Sequence, residues 1–169
     1  MCYKKIKNLI NDSINNNLLI LILEKINDPR NLGSCLRTAY SFNVNYIIIT
    51  NFNTCSINKT VIKTSCGYSK YLKIIKINNI NKILNILKKN NIYIIGSSLN
   101  TNNNIFDINF KILNSIAIII GSENNGISNK SIKNCNILIK IPMFNKVNSL
   151  NLSVATGIFL FEIIRQKLN

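Results

Sequence analysis

Short apolar runs recur along the chain and alternate with segments of mixed polarity. The runs are rich in Ile, are bounded by Asn, Ser or Gly, and have the length of strands. They lie near residues 18–24, 45–50, 72–77, 92–97, 115–120 and 136–141. Because runs that are apolar throughout are typical of strands buried on both faces, we predict six such strands.

The segments between the runs carry helical patterns. The first places apolar residues at i, i+3, i+4 and i+7, with Asn31 well suited as the N-cap. Its apolar positions are Leu32, Cys35, Leu36 and Ala39. The same spacing predicts a helix around residues 80–87, and a segment that is apolar on most sides predicts another over 152–167. Strands alternating with helices indicate an α/β fold, with a mostly parallel six-stranded sheet and helices on both faces.

The chain has the size of one compact domain. It has 169 residues, 47% of them hydrophobic, and contains no linker rich in Pro, Gly or Ser. We predict a single domain over residues 1–169, with 1–17 as a short N-terminal extension. Residues 1–26 start basic and become apolar, but they lack a small-residue cleavage site, so we interpret them as structure and not as a signal peptide. No apolar run reaches the roughly 18 residues of a membrane span, and we predict none.

The charge of the chain is strongly positive. It holds 21 Lys and Arg against 6 Asp and Glu, a formal net charge of +15. Such a field attracts polyanions, so RNA or DNA is the leading partner class. Lys, Asn and Ile are overused throughout, as an A/T-rich coding sequence would cause, and a merely basic surface is therefore the alternative.

Cysteine and histidine usage excludes several kinds of site. The five cysteines are scattered without a C-x-x-C spacing, and histidine is absent. These features argue against a disulfide framework and against a metal site, and they exclude catalysis by a histidine base. The cysteines suit a reducing compartment, so we predict a cytoplasmic protein.

Three polar loops follow predicted strands, where ligand sites gather in a parallel sheet. The first, residues 27–37, reads "NDPRNLGSCLR". Gly33 lies on one helical face with Arg37 and Ser41, which predicts a guanidinium among small side chains and room for a phosphate or ribose. An ordinary helix start with an exposed Arg is the alternative.

The second loop, residues 118–128, reads "IIIGSENNGIS". Gly121 and Gly126 bracket a lone acid, Glu123. Two glycines after a buried strand let the backbone approach a ligand closely or adopt a positive φ. A connecting loop that ends in a cap at Ser128 is the alternative.

The third loop lies within "IPMFNKVNSLNLSVATG", residues 141–157. Ile141 and Leu150 offer apolar surface, and Ser149 and Asn151 offer hydroxyl and amide groups. A pocket with these features suits a flat aromatic base with hydrogen-bonding edges. Alternatively, Ser149 or Asn151 simply caps the final helix.

Together and in this order, the three loops resemble the motifs of the SpoU, or TrmH, family of RNA ribose 2′-O-methyltransferases. The resemblance covers residues 20–167. The matching motifs are N-x-G-x-x-x-R (Asn31, Gly33, Arg37), G-x-E-x-x-G (Gly121, Glu123, Gly126) and I-P-M-x-x-x-x-x-S-L-N-x-S-x-A (Ile141 to Ala155). Three ordered motifs are far more specific than any one of them.

The resemblance implies a SPOUT fold, in which the C-terminal segment threads a loop to form a deep trefoil knot. It also implies a homodimer with sites near its interface and S-adenosylmethionine as the cofactor. The residues that carry over as cofactor contacts are Gly121, Ile141, Leu150 and Ser97.

The implied reaction is methyl transfer to a ribose 2′-hydroxyl of RNA. The wording of the motifs is most similar to family members that modify a guanosine of large-subunit ribosomal RNA. By carry-over Arg37 activates the hydroxyl; because a guanidinium is a poor base, we favour a role in binding the adjacent phosphate and stabilising the alkoxide. Glu123 and Asn31 are expected to hold that guanidinium, and Ser149 and Asn151 to orient the motif and substrate.

Two departures from the family pattern leave alternatives open. Such enzymes usually carry an N-terminal RNA-binding domain, whereas about 20 residues precede the first predicted strand here, so we expect this domain to be lacking. Asn145 stands where glycine is usual, and since Asn tolerates a left-handed backbone, we expect the loop shape to survive. A tRNA ribose methyltransferase is the alternative within this chemistry, and a non-catalytic RNA-binding ribosome-assembly factor is the alternative outside it.

Overall fold

A computed structural model describes residues 2–123, 125–145 and 149–168. The strands are β1 (Leu19–Leu23), β2 (Tyr46–Thr50), β3 (Ile74–Ile77), β4 (Tyr93–Ser97), β5 (Ile116–Ile120) and β6 (Ile137–Ile139). The helices are α1 (Cys2–Asn15), α2 (Pro29–Ser41), α3 (Lys59–Thr64), α4 (Ile80–Lys89), α5 (Asn129–Asn134) and α6 (Leu152–Leu168). Short 3₁₀ helices span Tyr68–Tyr71, Ile105–Asp107 and Phe110–Ile112.

The six predicted strands are confirmed and form one sheet in the order β3-β2-β1-β5-β4-β6. Every strand pair is parallel, so the sheet is wholly parallel and not mostly so. In its centre, Leu21 of β1 is in register with Ile47 of β2 and Ile118 of β5. All carboxyl ends therefore meet at one edge, which is where the polar loops begin.

Helices cover both faces of the sheet, as predicted. Side chains alternate along β1, so that Leu19, Leu21 and Leu23 pack toward α2, α3 and α6, while Ile20 and Ile22 join the core with α1 and α4. We call the side of α2, α3 and α6 the site face and the side of α1, α4 and α5 the opposite face. Burial on both faces explains why the central strands β1 and β5 are apolar throughout, whereas β3 at the edge of the sheet exposes Lys76.

The predicted helices are confirmed, but the N-cap assigned to α2 is wrong. Asn31 lies inside the first turn, and Asp28 is the cap, whose carboxylate accepts a hydrogen bond from the backbone N–H of Arg30 at 2.7 Å. Pro29 explains the difference, since its fixed φ suits the first helical position and starts the helix two residues before Asn31.

The N-terminal residues form part of the structure, as interpreted from the sequence. Leu9 of α1 is fully buried in the core of the opposite face. Asp12 accepts a hydrogen bond from the Tyr46 hydroxyl at 2.7 Å and pairs with Lys73 at 3.2 Å. Within the described ranges, no helix is long and apolar enough to cross a membrane.

Candidate active site

A cavity of about 530 Å³ lies at the carboxyl edge of the sheet. The loops after β4, β5 and β6 form its walls with the start of α6. All four residues predicted to contact a cofactor line it: Ser97, Gly121, Ile141 and Leu150. Glu123 and Ser149, predicted to serve catalysis, line it as well. The structure thus brings together residues that are more than 50 positions apart in sequence.

Several apolar lining residues were not predicted. Ile139 ends β6, and Leu152, Ala155 and Phe159 form one face of α6. Their spacing of three and four residues is a helical signal, but it is hidden because α6 is apolar on most sides. Only the packing reveals which of its faces meets the cavity.

The loop after β5 folds tightly onto itself. A Cβ at Gly121 would overlap the carbonyl group of Gly126, and Gly126 has φ +59°. The Gly126 backbone N–H donates to the Ser122 carbonyl at 2.8 Å. Gly126 therefore provides the predicted positive φ, while the close approach that Gly121 permits is to its own loop.

Glu123, Asn31 and Asn151 form a hydrogen-bonded triad that joins the three motifs. The Asn31 amide donates to Glu123 Oε1 at 2.9 Å, and the Asn151 amide donates to the same oxygen at 3.0 Å. The Asn151 amide also lies 3.1 Å from Asn31 Oδ1. Because one carboxylate oxygen accepts from both amides, the triad fixes the start of α2 and the start of α6 to the loop after β5.

Asn151 also caps the final helix. Its Oδ1 accepts hydrogen bonds from the Ser153 backbone N–H at 2.9 Å and from the Ser153 hydroxyl at 2.6 Å. The alternative interpretation of this residue as a cap is correct, and the cap is at the same time a member of the triad. The amide nitrogen serves the site while the amide oxygen serves the helix.

Arg37 is exposed on α2, and its guanidinium makes no hydrogen bond or ion pair with a described residue. The expectation that Glu123 and Asn31 hold it is wrong for this arrangement, because both bond within the triad. Arg37 lies six positions after Asn31 in α2, which places the two side chains roughly 9 Å apart along the axis and about 120° apart around it. The guanidinium is therefore available to an external anion.

The prediction that Gly33 leaves room for a phosphate or ribose is also wrong. Gly33 is buried, and a Cβ there would lie 2.7 Å from Thr64 Cβ and 2.9 Å from the Val61 carbonyl oxygen. The bare helix surface receives α3, so this glycine is needed for helix packing and provides no room for a ligand.

The loop between β6 and α6 keeps the backbone shape expected of it where it is described. Asn145 has φ +66°, the left-handed conformation that glycine usually supplies. Residues 146–148 lie outside the described ranges. Ser149 is exposed and borders the cavity.

Glu24 is a buried carboxylate that was not among the predicted site residues, and it holds the loop after β5 at the start of α5. Glu24 directly follows β1 and is 2% exposed. It accepts hydrogen bonds from the Ser131 hydroxyl at 2.7 Å and from the Ser128 backbone N–H at 3.2 Å. Ser128 is the N-cap of α5, as the alternative interpretation of that loop expected. The sequence did contain a signal for Glu24, because it is one of only six acids and stands at the end of a predicted buried strand.

The acids of the chain are committed to internal contacts, which leaves the positive charge largely uncompensated. Glu24 and Glu123 bond as described, Asp28 caps α2 and Asp107 accepts from the Asn104 N–H. The described residues contain two ion pairs, Lys73–Asp12 and Arg165–Glu162. In that second pair, the hydrogen bond from Arg165 lowers the pKa of Glu162 and keeps it ionised.

Cys35 lies beneath the site but is unsuited to nucleophilic chemistry. It is fully buried, and its sulfur lies 3.4 Å from the Thr156 hydroxyl, joining α2 to α6. Burial raises the pKa of the thiol to about 11. Because thiolates and not thiols are nucleophilic, Cys35 has a packing role.

Comparison with known proteins gives the same family by sequence and by fold. Residues 18–161 match the model of the SpoU rRNA Methylase family. A 23S rRNA (guanosine-2′-O-)-methyltransferase RlmB of Blochmanniella floridana is 42% identical over 149 residues, covering 88% of this chain. The chain spans 58% of the length of that relative.

Solved structures of similar fold include two SpoU-type proteins. The A. aeolicus TrmH/SpoU tRNA modifying enzyme superposes with a TM-score of 0.80 at 25% identity, covering 99% of this chain and 84% of that one. The SpoU methyltransferase AviRb of Streptomyces viridochromogenes, solved in complex with the cofactor AdoMet, has a TM-score of 0.84 at 21% identity, covering 91% and 59%. From the family match and the close relative, this chain belongs to the SpoU rRNA methylase family.

Proposed function

We propose that this chain transfers a methyl group from S-adenosylmethionine to a ribose 2′-hydroxyl of RNA. The observation that carries the proposal is that the second and third motifs line one cavity, while one hydrogen-bonded triad joins all three motifs beside it. A cavity of about 530 Å³ falls within the size range of small-molecule sites. When bound, the cofactor supplies an electrophilic methyl group on its sulfonium.

The cavity fits such a cofactor in the chemistry of its walls. Ile141, Leu150 and Ile139 offer apolar surface for a flat base, while Ser97 offers a hydroxyl at the end of β4. Gly121 contributes its backbone to the cavity wall. These residues would hold the cofactor, and the triad beside them would fix the three loops in place.

Arg37 is proposed to act on the RNA and not on the cofactor. Its unpaired guanidinium binds the phosphate next to the target ribose and stabilises negative charge on the 2′-oxygen, while that phosphate or water accepts the proton. Ser149, at the rim of the cavity, orients the ribose. Alignment of the two reactants in one site supplies much of the acceleration.

The proposed substrate is a guanosine of large-subunit ribosomal RNA. The supporting facts are the name of the relative that is 42% identical and the formal charge of +15. A tRNA substrate is the second candidate, because the chain also superposes on a tRNA modifying enzyme of A. aeolicus with a TM-score of 0.80 at 25% identity.

We propose a homodimer that forms through α6. Val154 and Phe161 are 50% and 55% exposed, and Ile158 lies between them on the same helical face. Phe161 packs edge-on against Phe42 with ring centroids 6.5 Å apart, so the apolar surface continues beyond the helix. A helix that is apolar all round normally has partners on every side.

The trefoil knot of SPOUT proteins is also part of the proposal. Residues 98–114, which connect β4 to β5, bond to β6 through the Thr101 hydroxyl and the Leu138 carbonyl at 3.2 Å. The same segment bonds to α6 through the Phe110 N–H and Gln166 Oε1 at 2.8 Å. Attachment to both sides of the last crossover supports a C-terminal segment that threads this loop.

A single domain and a cytoplasmic location complete the proposal. The support for the location is chemical: Cys35, Cys55, Cys66 and Cys135 are all free thiols. Thiols persist in reducing compartments, where ribosomal RNA is also modified.

The test is methyl transfer from radiolabelled S-adenosylmethionine to unmodified large-subunit rRNA, small-subunit rRNA and tRNA in parallel. We expect label in large-subunit rRNA, at a dinucleotide that resists alkaline hydrolysis because its 2′-oxygen is methylated. Label in tRNA alone would support the second candidate. Tight RNA binding without label in any RNA would identify a non-catalytic factor and contradict the proposal.

A further inference from the structure

Three tyrosines form an exposed aromatic cluster between α2 and the 3₁₀ helix that follows α3. We call Tyr40, Tyr68 and Tyr71 the tyrosine cluster. The rings of Tyr40 and Tyr68 are stacked, with centroids 4.6 Å apart and planes 11° apart, and Tyr71 is tilted against Tyr40 at 5.9 Å. The three residues are 41%, 37% and 61% exposed. None of their hydroxyls bonds a described residue, so ring contacts and not hydrogen bonds order the cluster.

The backbone after α3 is built to present these rings. Cys66 and Gly67 have φ of +51° and +77°, which turns the chain sharply into the 3₁₀ helix. Ser69 is buried and its N–H donates to the Ser65 hydroxyl, which anchors the helix from below. Since residues i and i+3 eclipse in a 3₁₀ helix, Tyr68 and Tyr71 emerge on the same side.

The surroundings of the tyrosine cluster are positive. Lys70 Nζ lies 4.9 Å from the centroid of the Tyr71 ring, a cation–π contact. Arg37 lies one turn before Tyr40 on the same face of α2. Lys70 and Arg37 therefore place positive charge beside the rings, where it attracts a phosphate.

We propose that the tyrosine cluster is a stacking platform for unpaired bases that flank the target nucleotide of the RNA substrate. This inference rests on the proposed function and adds to it the class of RNA that the site accepts. Exposed rings among cations fit a ligand that is both flat and anionic, as a single-stranded nucleotide is. A duplex buries its base faces in its own stack, so it offers the rings nothing to stack upon.

The chain contains no tryptophan, so Tyr71→Trp introduces a single fluorescent reporter into the platform. We expect an unstructured RNA of about ten nucleotides to quench this fluorescence, because a base stacks on the indole. A duplex of the same sequence and the polyanion heparin are expected to bind through charge and leave the fluorescence nearly unchanged. Equal quenching by heparin and single-stranded RNA would overturn the inference.

Affinity variants give an independent measurement. Tyr68→Leu combined with Tyr71→Leu keeps apolar bulk but removes the rings, and we expect binding of single-stranded RNA to weaken about tenfold or more. Tyr71→Phe keeps the ring and is expected to bind like the natural chain. Tyr3→Leu is the matched control, because Tyr3 is 82% exposed on α1 beside Lys4 and Lys5; its affinity should not change.

The outcomes separate the two levels of the proposal. Methyl transfer with unchanged RNA affinity in the double Leu variant would overturn the platform while leaving the proposed function intact. Quenching by single-stranded RNA without methyl transfer to any RNA would support the platform and contradict the proposed function. A loss of dimer in sedimentation, with unchanged RNA affinity, would assign the cluster to a second copy of the chain and overturn the platform.

Discussion

The two faces of the sheet are covered by helices of different character. On the opposite face, α4 buries Ile80, Ile83, Leu84 and Leu87 and directs Lys and Asn to solvent. On the site face, α6 buries Leu160 and Ile163 but also exposes Val154 and Phe161. An amphipathic helix such as α4 is complete when it covers the sheet, whereas α6 has apolar surface left over.

The polar contacts of the two faces also differ: those of the site face join the candidate site, and the example on the opposite face joins two helix surfaces. The triad joins the starts of α2 and α6, both on the site face, to the loop after β5. On the opposite face, Asn134 donates to Asn81 at 2.7 Å, a contact between exposed helix surfaces. The comparison teaches that α4 on the opposite face provides stability alone, whereas α2 and α6 on the site face provide both stability and chemistry. Another helix of the opposite face, α5, contributes Asn129 and Ile132 to the cavity wall. Variants of α4 and of the site face should therefore separate activity from folding.

The largest expected effect comes from Arg37→Ala. Losing the cation that stabilises the 2′-oxygen should reduce methyl transfer by roughly 10²- to 10³-fold or more. Affinity for S-adenosylmethionine, measured by calorimetry, should change little. Arg30→Ala on the same helix and Lys82→Ala on the opposite face are the controls and should stay near full activity. Full activity in Arg37→Ala would remove this residue from the mechanism.

Leu84→Ala tests the opposite face. Leu84 is fully buried against the sheet, and truncation should lower the free energy of unfolding by about 2–5 kcal/mol. Denaturant titration measures this change. Methyl transfer per folded molecule should remain as in the natural chain, because no residue of α4 lines the cavity. A proportionate loss of activity at full folding would break the division between the faces.

Substitutions of two glycines on the site face should change the free energy of unfolding by smaller amounts and in opposite directions. In Gly33→Ala the new Cβ would crowd Thr64 and the Val61 carbonyl, so we expect about 1–3 kcal/mol of destabilisation. In Gly157→Ala the new Cβ meets only Thr38 Cγ2 at 3.9 Å. That change should stabilise the helix by about 0.5–1 kcal/mol, because Ala loses less backbone entropy than Gly. Thermal unfolding of both variants checks the two signs, and equal shifts would show that α3 does not restrain α2.

The smallest effect is the coupling within the triad. Glu123→Ala should cost about 1 kcal/mol of unfolding free energy, since its carboxylate is exposed but accepts from two amides. Combined with Asn151→Ala, the loss should be less than the sum of the single changes. Glu123→Ala combined with Leu84→Ala should be additive, because these residues share no contact. Additivity in the first pair would mean that the hydrogen bonds contribute little.

Most of the secondary structure could be predicted from local pattern. Ile-rich runs of strand length give the six strands, and the spacing of Leu32, Cys35, Leu36 and Ala39 gives α2. The start of α2 was misassigned because two residues, Asp28 and Asn31, both suit an N-cap, and Pro29 favours the earlier one. Which of two possible N-caps is used depends on the neighbouring residues and not on the spacing of apolar positions.

The membership of the candidate site was largely set by the sequence. Asn31, Glu123 and Asn151 were each identified by motif, and Ser97, Gly121, Ile141 and Leu150 line the cavity as a group. The assignment of the last four as cofactor contacts came from the family resemblance, and the fold explains why they meet, because parallel strands deliver their following loops to one edge.

Only the tertiary structure decided what each of these residues contacts. In the folded chain Glu123 accepts hydrogen bonds from the Asn31 and Asn151 amides, and Arg37 remains unpaired. Helix α3 packs against the surface beside Gly33, and the ring of Tyr40 stacks on that of Tyr68. Sequence spacing fixes positions along one element, where geometry is regular. Contacts between elements depend on how helices pack across the sheet, and several packings are compatible with the same pattern of apolar residues.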